Sequence, residues 1–124
     1  MSLLALRAYL MLIFFDHYVI GGNFLALHSR VRTRPRARRM PTAGAVGRVL
    51  SAVDMACIWY WKEVLCLQRS AVTTCLLRRQ GVSAQMVIGV QRMPFKAHSW
   101  VEVEGTVVND NPYTPEMYAV LDRC

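Results

Sequence analysis

The sequence predicts an α+β fold, N-terminal helices followed by a small antiparallel sheet, and a change of period carries that prediction. Apolar residues recur at three- and four-residue steps up to about residue 79, and beyond Gly81 they alternate or fall into short runs. A chain of 124 residues suits one domain spanning 1–124, with a helical front half at 1–61 and a core carrying the candidate chemistry at 62–124.

Residues 3–20 are apolar except for Arg7, Asp16 and His17, and their longest uninterrupted stretch runs only from Ala8 to Phe15. A membrane span needs roughly 20 such residues, so the segment reads as a helix buried in the fold or covered by a partner. Association with a membrane surface is the lesser alternative. Arg7 interrupts the run and no small-residue cleavage site follows, which argues against a signal peptide and makes the cytoplasm the expected compartment. Gly21 and Gly22 then interrupt the helix.

Charge is concentrated in the front half. Residues 1–61 hold eight Lys+Arg against two acids, and residues 62–124 hold seven against six. Arg30, Arg32, Arg34, Arg36, Arg38 and Arg39, with Pro35 and Pro41, read as a solvated connector over 30–41. Docking of an acidic partner is the second reading of that run. Nucleic acid is not expected, because no aromatic residue is interleaved to stack on bases. The chain is 54% hydrophobic and 19% charged, a balance that points to apolar surface covered by a partner.

A second helix is predicted from about Ala43 to Tyr60, where Val46, Val49, Leu50, Val53, Cys57 and Tyr60 share a face. A third is predicted from Cys66 to Arg79, with Arg78 and Arg79 set against the negative end of the dipole and Gly81 as the stop. Strands follow at Ala84–Val90, Ala97–Val103 and Thr106–Asn109, with another around Tyr118–Leu121, and Pro94 separates the first two.

The second and third strands meet at Val103-Glu104-Gly105. A glycine in third place suits a three-residue hairpin loop, which sets Glu102 opposite Thr106 and His98 opposite Asp110. A two-residue loop at Glu104-Gly105 would instead pair Val103 with Thr106, set Asn111 opposite His98 and turn Asp110 to the other face.

A cysteine at a helix start feels unpaired backbone N–H groups and the positive end of the dipole, both of which favour thiolate. An imidazole can take the thiol proton, and a carboxylate on the far ring nitrogen fixes the tautomer. Cys66, His98 and Asp110 therefore form a candidate nucleophile, base and orienting group, in the chain order of papain-like and transglutaminase-like enzymes. The expected reaction is acyl transfer through a thioester, with water or an amine as acceptor. The Cys66 backbone N–H is the natural oxyanion donor, and Gln68 is a weaker side-chain candidate. Cys57 and Cys75 read as buried hydrophobes, Cys124 as a mobile tail residue, and His17 and His28 as structural. The cysteines lack zinc-site spacing, so neither a metal nor another cofactor is expected. A non-catalytic module that recruits a partner through the basic, apolar front half is the alternative from another class.

The run from CLQRS through LLRRQGVSAQMVIGVQRMPFKAHSWVEVEGTVVND closely resembles the lasso peptide biosynthesis B2 proteins. Five elements carry the likeness over roughly residues 60–121: Cys-Leu-x-Arg-Ser, Arg-Arg-x-Gly-Val, Val-Ile-Gly-Val, Pro-Phe-x-Ala-His-x-Trp-Val-Glu and Asn-Asp. Ser99 departs from it, standing where alanine is common. The resemblance implies a transglutaminase-like cysteine peptidase with Cys66 as nucleophile, His98 as general base and Asp110 as its orienting partner. It further implies a precursor leader peptide as substrate, a small separate leader-recognition protein as partner, and a separate ATP-using cyclase that closes the lasso ring.

Overall fold

The computed structural model describes residues 2–124. Helices α1 (Leu3–Ile20), α2 (Phe24–Arg32), α3 (Ala45–Trp59) and α4 (Cys66–Arg79) come first. Strands β1 (Ala84–Arg92), β2 (Phe95–Val103) and β3 (Thr106–Val107), the short helix α5 (Thr114–Met117) and strand β4 (Ala119–Arg123) follow. The strands form one antiparallel sheet in the order β3-β2-β1-β4. The architecture is α+β, as the change of period predicts.

α1 starts where Ser2 accepts a hydrogen bond from the Ala5 N–H, the ordinary way to satisfy an orphan donor of the first turn. It buries Ala5, Ala8, Leu12, Phe15 and Asp16 and packs against α3 and α4. By length and composition alone the helix would suffice to cross a membrane, which corrects the shorter estimate from its uninterrupted apolar stretch. Leu3, Leu6 and Leu10 stay exposed on its other side.

α2 was not foreseen within the Arg-rich run. Asn23 caps it by accepting from the Ala26 N–H, and Leu27 and Val31, four residues apart, are its buried contacts. Arg30 and Arg32 occupy its last turn, where cations oppose the helix dipole. The connector is therefore shorter than residues 30–41. α3 is rotated slightly from the predicted stripe: it buries Ala45, Val49, Ala52, Val53 and Ala56, while Val46 and Cys57 are only partly buried. The alanines on this face and Ala5 and Ala8 on α1 are small enough for the two helices to approach closely.

One core joins the front helices to the sheet. Leu12 and Phe15 of α1, Val49 and Val53 of α3, and Leu76 and Leu77 of α4 cluster with Met86 of β1 and Val101 of β2. Strand alternation puts Val87, Trp100 and Glu102 on the other face. That face is also closed, since Trp100 and Val87 are fully buried. The Trp100 ring lies against Tyr118, with centroids 6.0 Å apart, and runs over Gly89, where a Cβ would meet Trp100 Cη2 at 2.8 Å. Only glycine fits beneath that indole.

The β2–β3 turn corrects the three-residue loop. Val103 pairs with Thr106 and Glu102 with Val107, so the loop is the two residues Glu104 and Gly105, with φ of 51° and 80°. Two successive left-handed residues make a type I′ hairpin, whose twist matches the flanking strands. Glycine at the second position removes one of the two steric penalties.

Candidate active site

Cys66 is the first residue of α4, and the first intrahelical bond runs from Arg69 N–H to Leu65 O at 2.9 Å. The N–H groups of Cys66, Leu67 and Gln68 precede that bond and lack intrahelical acceptors. Those unpaired donors make the start of α4 a place where an approaching oxyanion can be bound. Cys66 is also the exposed member of the four cysteines. Burial pushes the Cys57 and Cys124 thiols up and takes Cys75 to about 11, which keeps those three protonated at neutral pH.

Gln68 does not fit the oxyanion role. Its side chain is fully buried and its Nε2 donates to Leu12 O of α1 at 2.8 Å. Position three of a helix whose neighbour packs across its start points inward, so Gln68 anchors α4 to α1 rather than facing substrate. Beside it lies a polar cluster that sequence reasoning missed: the Tyr60 hydroxyl donates to Asp16 Oδ2 at 2.9 Å, and the Lys62 ammonium stands 2.7 Å from Asp16 Oδ1. Burial, with the Asp16 carboxylate adding to it, pushes the Tyr60 phenol up to about 12. Its proton stays on the oxygen and holds the entrance to α4 in place.

His98 sits half-buried on β2, and its Nε2 is hydrogen-bonded to Asp110 Oδ2. A carboxylate accepts only, so this contact assigns the proton to Nε2 and leaves the lone pair on Nδ1. Nδ1 has no hydrogen-bond partner among the described residues, so the ring offers a base at its free nitrogen. The ring is held on one side by Trp100 and Tyr118, with centroids 6.0 and 5.4 Å away. Trp100 Nε1 in turn donates to the buried Glu102 at 3.0 Å, and Arg123 donates to the other Glu102 oxygen at 3.2 Å. The spacing His-x-Trp-x-Glu thus builds one face of β2, each residue supporting the one before it.

Asp110 reaches His98 by a route other than the expected register, since the two-residue loop directs an unbroken ladder to set Asn111 opposite His98. The chain leaves the ladder after Val107 and bends through residues 108–110. The second Asp110 oxygen accepts from the Asn111 N–H at 2.7 Å. Burial alone would raise the Asp110 carboxyl, but hydrogen bonds from His98 and Asn111 and the charges of His98 and Arg69 outweigh it and lower it below the usual range. A depressed carboxylate stabilises the fold above its unfolded value and loses that contribution as pH falls through the folded value. The stability advantage of wild type over Asp110→Asn should therefore shrink as the pH is taken below about 4, as urea unfolding across that range will read out.

The structure brings His98 and Asp110 together, while no hydrogen bond joins the Cys66 thiol to His98 among the described residues. Their elements, α4 and β2, pack against each other, and β3 pairs only with Glu102 and Val103 of β2. Arg69, one helical turn after Cys66, lines a cleft with Thr73, Val108 and Asn109 and acts through its charge on Asp110. Cys124 is not a mobile tail: its N–H donates to Met86 O at 2.9 Å and its carbonyl accepts from Arg78. His28 bonds Asp122 at 2.6 Å and ties α2 to β4. Among the described residues no group of three or more His, Cys, Asp or Glu side chains is placed to hold a metal ion.

Comparison with known proteins sets this geometry in a family. The microcin J25-processing protein McjB of Escherichia coli is 41% identical over 56 residues, which make up 45% of this chain and 27% of that protein. The chain thus matches little more than a quarter of that relative's length. No solved structure matches. The sequence profile of the transglutaminase-like superfamily matches residues 10–123, from the middle of α1 to the end of β4, and the chain belongs to that superfamily.

Proposed function

We propose that this protein is a cysteine peptidase that removes the leader from a ribosomally made lasso peptide precursor, acting in the cytoplasm with a separate leader-recognition protein. The observation that carries the proposal is the His98–Asp110 pair, which leaves Nδ1 free as a base, in a chain whose exposed cysteine opens the helix beside it. The likeness to a microcin-processing protein supplies the substrate class, and a separate lasso cyclase would take the product.

Each bond change follows from those groups. His98 Nδ1 takes the Cys66 proton and the thiolate attacks the scissile carbonyl, with the oxyanion turned toward the Cys66 N–H. The C–N bond breaks as the imidazolium returns its proton to the departing amine, leaving a thioester on Cys66. Water then attacks the thioester with His98 again as base, and the leader leaves as a carboxylic acid while the thiol is reformed. Asp110 keeps the ring in one tautomer and stabilises its charged state without taking the proton.

Incubation of the full chain with a lasso precursor and its recognition protein, followed by mass spectrometry, tests the reading. Free leader, carrying the mass of one added water across the two products, is expected. An amine-linked leader would point to acyl transfer by the same thioester. An unchanged precursor, with a Cys66 no more reactive toward a thiol probe than a surface cysteine, would favour the non-catalytic binding module and sink the proposal.

A further inference from the structure

The β2–β3 ladder ends after two residues, and the bond that ends it is made by a side chain. The observed pairing of Val103 with Thr106 and Glu102 with Val107, continued regularly, sets Val101 opposite Val108 and Ser99 opposite Asp110. In such a ladder Val101 and Val108 exchange two backbone hydrogen bonds, and Asp110 projects to the face away from His98. One of those bonds is made, from Val108 N–H to Val101 O at 3.0 Å. The other is replaced: the Val101 N–H donates to Asn109 Oδ1 at 2.8 Å, where the Val108 carbonyl would have been.

We propose that Asn109 is the positioning residue of this site: its side-chain oxygen stands in for a backbone carbonyl at the end of the β2–β3 ladder and so swings Asp110 onto His98. The substitution satisfies the inner donor of β2 and frees the backbone after Val108 to bend. The carboxylate thereby crosses to the face it could not occupy in register. Its second oxygen then closes on the Asn111 N–H, which fixes the carboxylate in its new direction. Asn109 touches neither the thiol nor the imidazole and acts only through Asp110.

The geometric claim stands apart from the peptidase reading, and its catalytic consequence rests on that reading. The test is the proton NMR shift of the His98 ring Nε2–H in the full-length protein at one fixed pH, its signal assigned by disappearance in His98→Ala. Asp110→Ala sets the position for a ring without its carboxylate, expected upfield of wild type. Asn109→Ala should move the signal at least half way to that position, whereas Asn109→Asp, which keeps an acceptor oxygen, should leave it at the wild-type position. In the Asp110→Ala background, Asn109→Ala should add nothing. Asn109→Ser, too short to reach the Val101 N–H from the same backbone position, gives the same readout if the alanine variant does not fold.

A merely structural asparagine would lower the melting temperature and leave the His98 Nε2–H signal at the wild-type position. That result, or an effect of Asn109→Ala of full size in the Asp110→Ala background, overturns the proposal. In the cleavage assay, Asn109→Ala should lower kcat about 10²-fold with KM little changed, the scale of a displaced catalytic group, and Asn109→Asp should restore it. Absence of cleavage by the wild type would defeat the peptidase reading and leave the hydrogen-bond result standing.

Discussion

Replacing Cys66 by alanine should abolish the proposed leader removal, lowering kcat/KM by at least about 10⁴-fold, because no other cysteine among the described residues is exposed. Burial disqualifies the remaining thiols, with Cys75 held at about 11 and Cys57 and Cys124 raised. The fold should survive: Cys66 is exposed and alanine is a good residue at a helix start, so unfolding free energy should change by no more than about 0.5 kcal/mol. Cleavage assays and urea denaturation on the same preparation separate the two effects. Loss of activity together with loss of fold would assign Cys66 a structural role instead. His98→Ala should match Cys66→Ala to within about tenfold, since residues that act as a unit are not additive.

The largest effect on stability is expected at Arg78, in the last turn of α4. Its guanidinium is buried and meets no side-chain carboxylate. It donates instead to four main-chain oxygens: Ala84 O at 3.0 Å, Val31 O at 2.6 Å, Arg34 O at 3.3 Å and Cys124 O. Val31 lies in the last turn of α2, so the charge faces the negative end of a helix other than its own. Arg78→Met keeps the aliphatic stem but strands four acceptors, at an expected cost of about 3–5 kcal/mol. For a chain of this size that corresponds to a fall in Tm of about 10–20 °C. Arg78→Lys should recover only part of it, because an ammonium lacks the planar fork that reaches several elements at once. Calorimetry on the three proteins checks the order; a methionine variant as stable as wild type would show that water satisfies those carbonyls.

Both the foreseen and the unforeseen parts of this molecule have local causes. The extent of α4, Cys66–Arg79, was legible because the cations of its last turn and the glycine stop just beyond are local signals. The α2 segment was not, because it runs into the arginine-rich stretch and only two apolar residues, Leu27 and Val31, decide its burial. Glu104 at φ 51° hid the two-residue turn, since a left-handed glutamate is disfavoured and the sequence lacks the usual Asn-Gly or Asp-Gly. The pairing of His98 with Asp110 was reached from the wrong register, and the two errors cancel through Asn109, whose side-chain substitution no periodicity reports. The Tyr60–Asp16 bond links residues 44 apart in sequence and Arg78 meets Val31 across 47. Contacts of that range become visible only once the helices are packed.

The shared core bears on how this chemistry can be inherited. Leu12 and Phe15 pack with Leu76, Met86 and Val101 in one cluster, so the second half of the chain, 62–124, is half of a globule rather than a portable cassette. Cut free, it would expose the side of α4 that α1 and α3 now cover. Selection on the front helices must then keep the shape of that inner surface, while their outward side, Leu3, Leu6 and Leu10 among it, is free to diverge with whatever it meets. Relatives of this chain should therefore agree in the volume of residues 5, 8, 12 and 15 even where the surrounding identities have drifted apart.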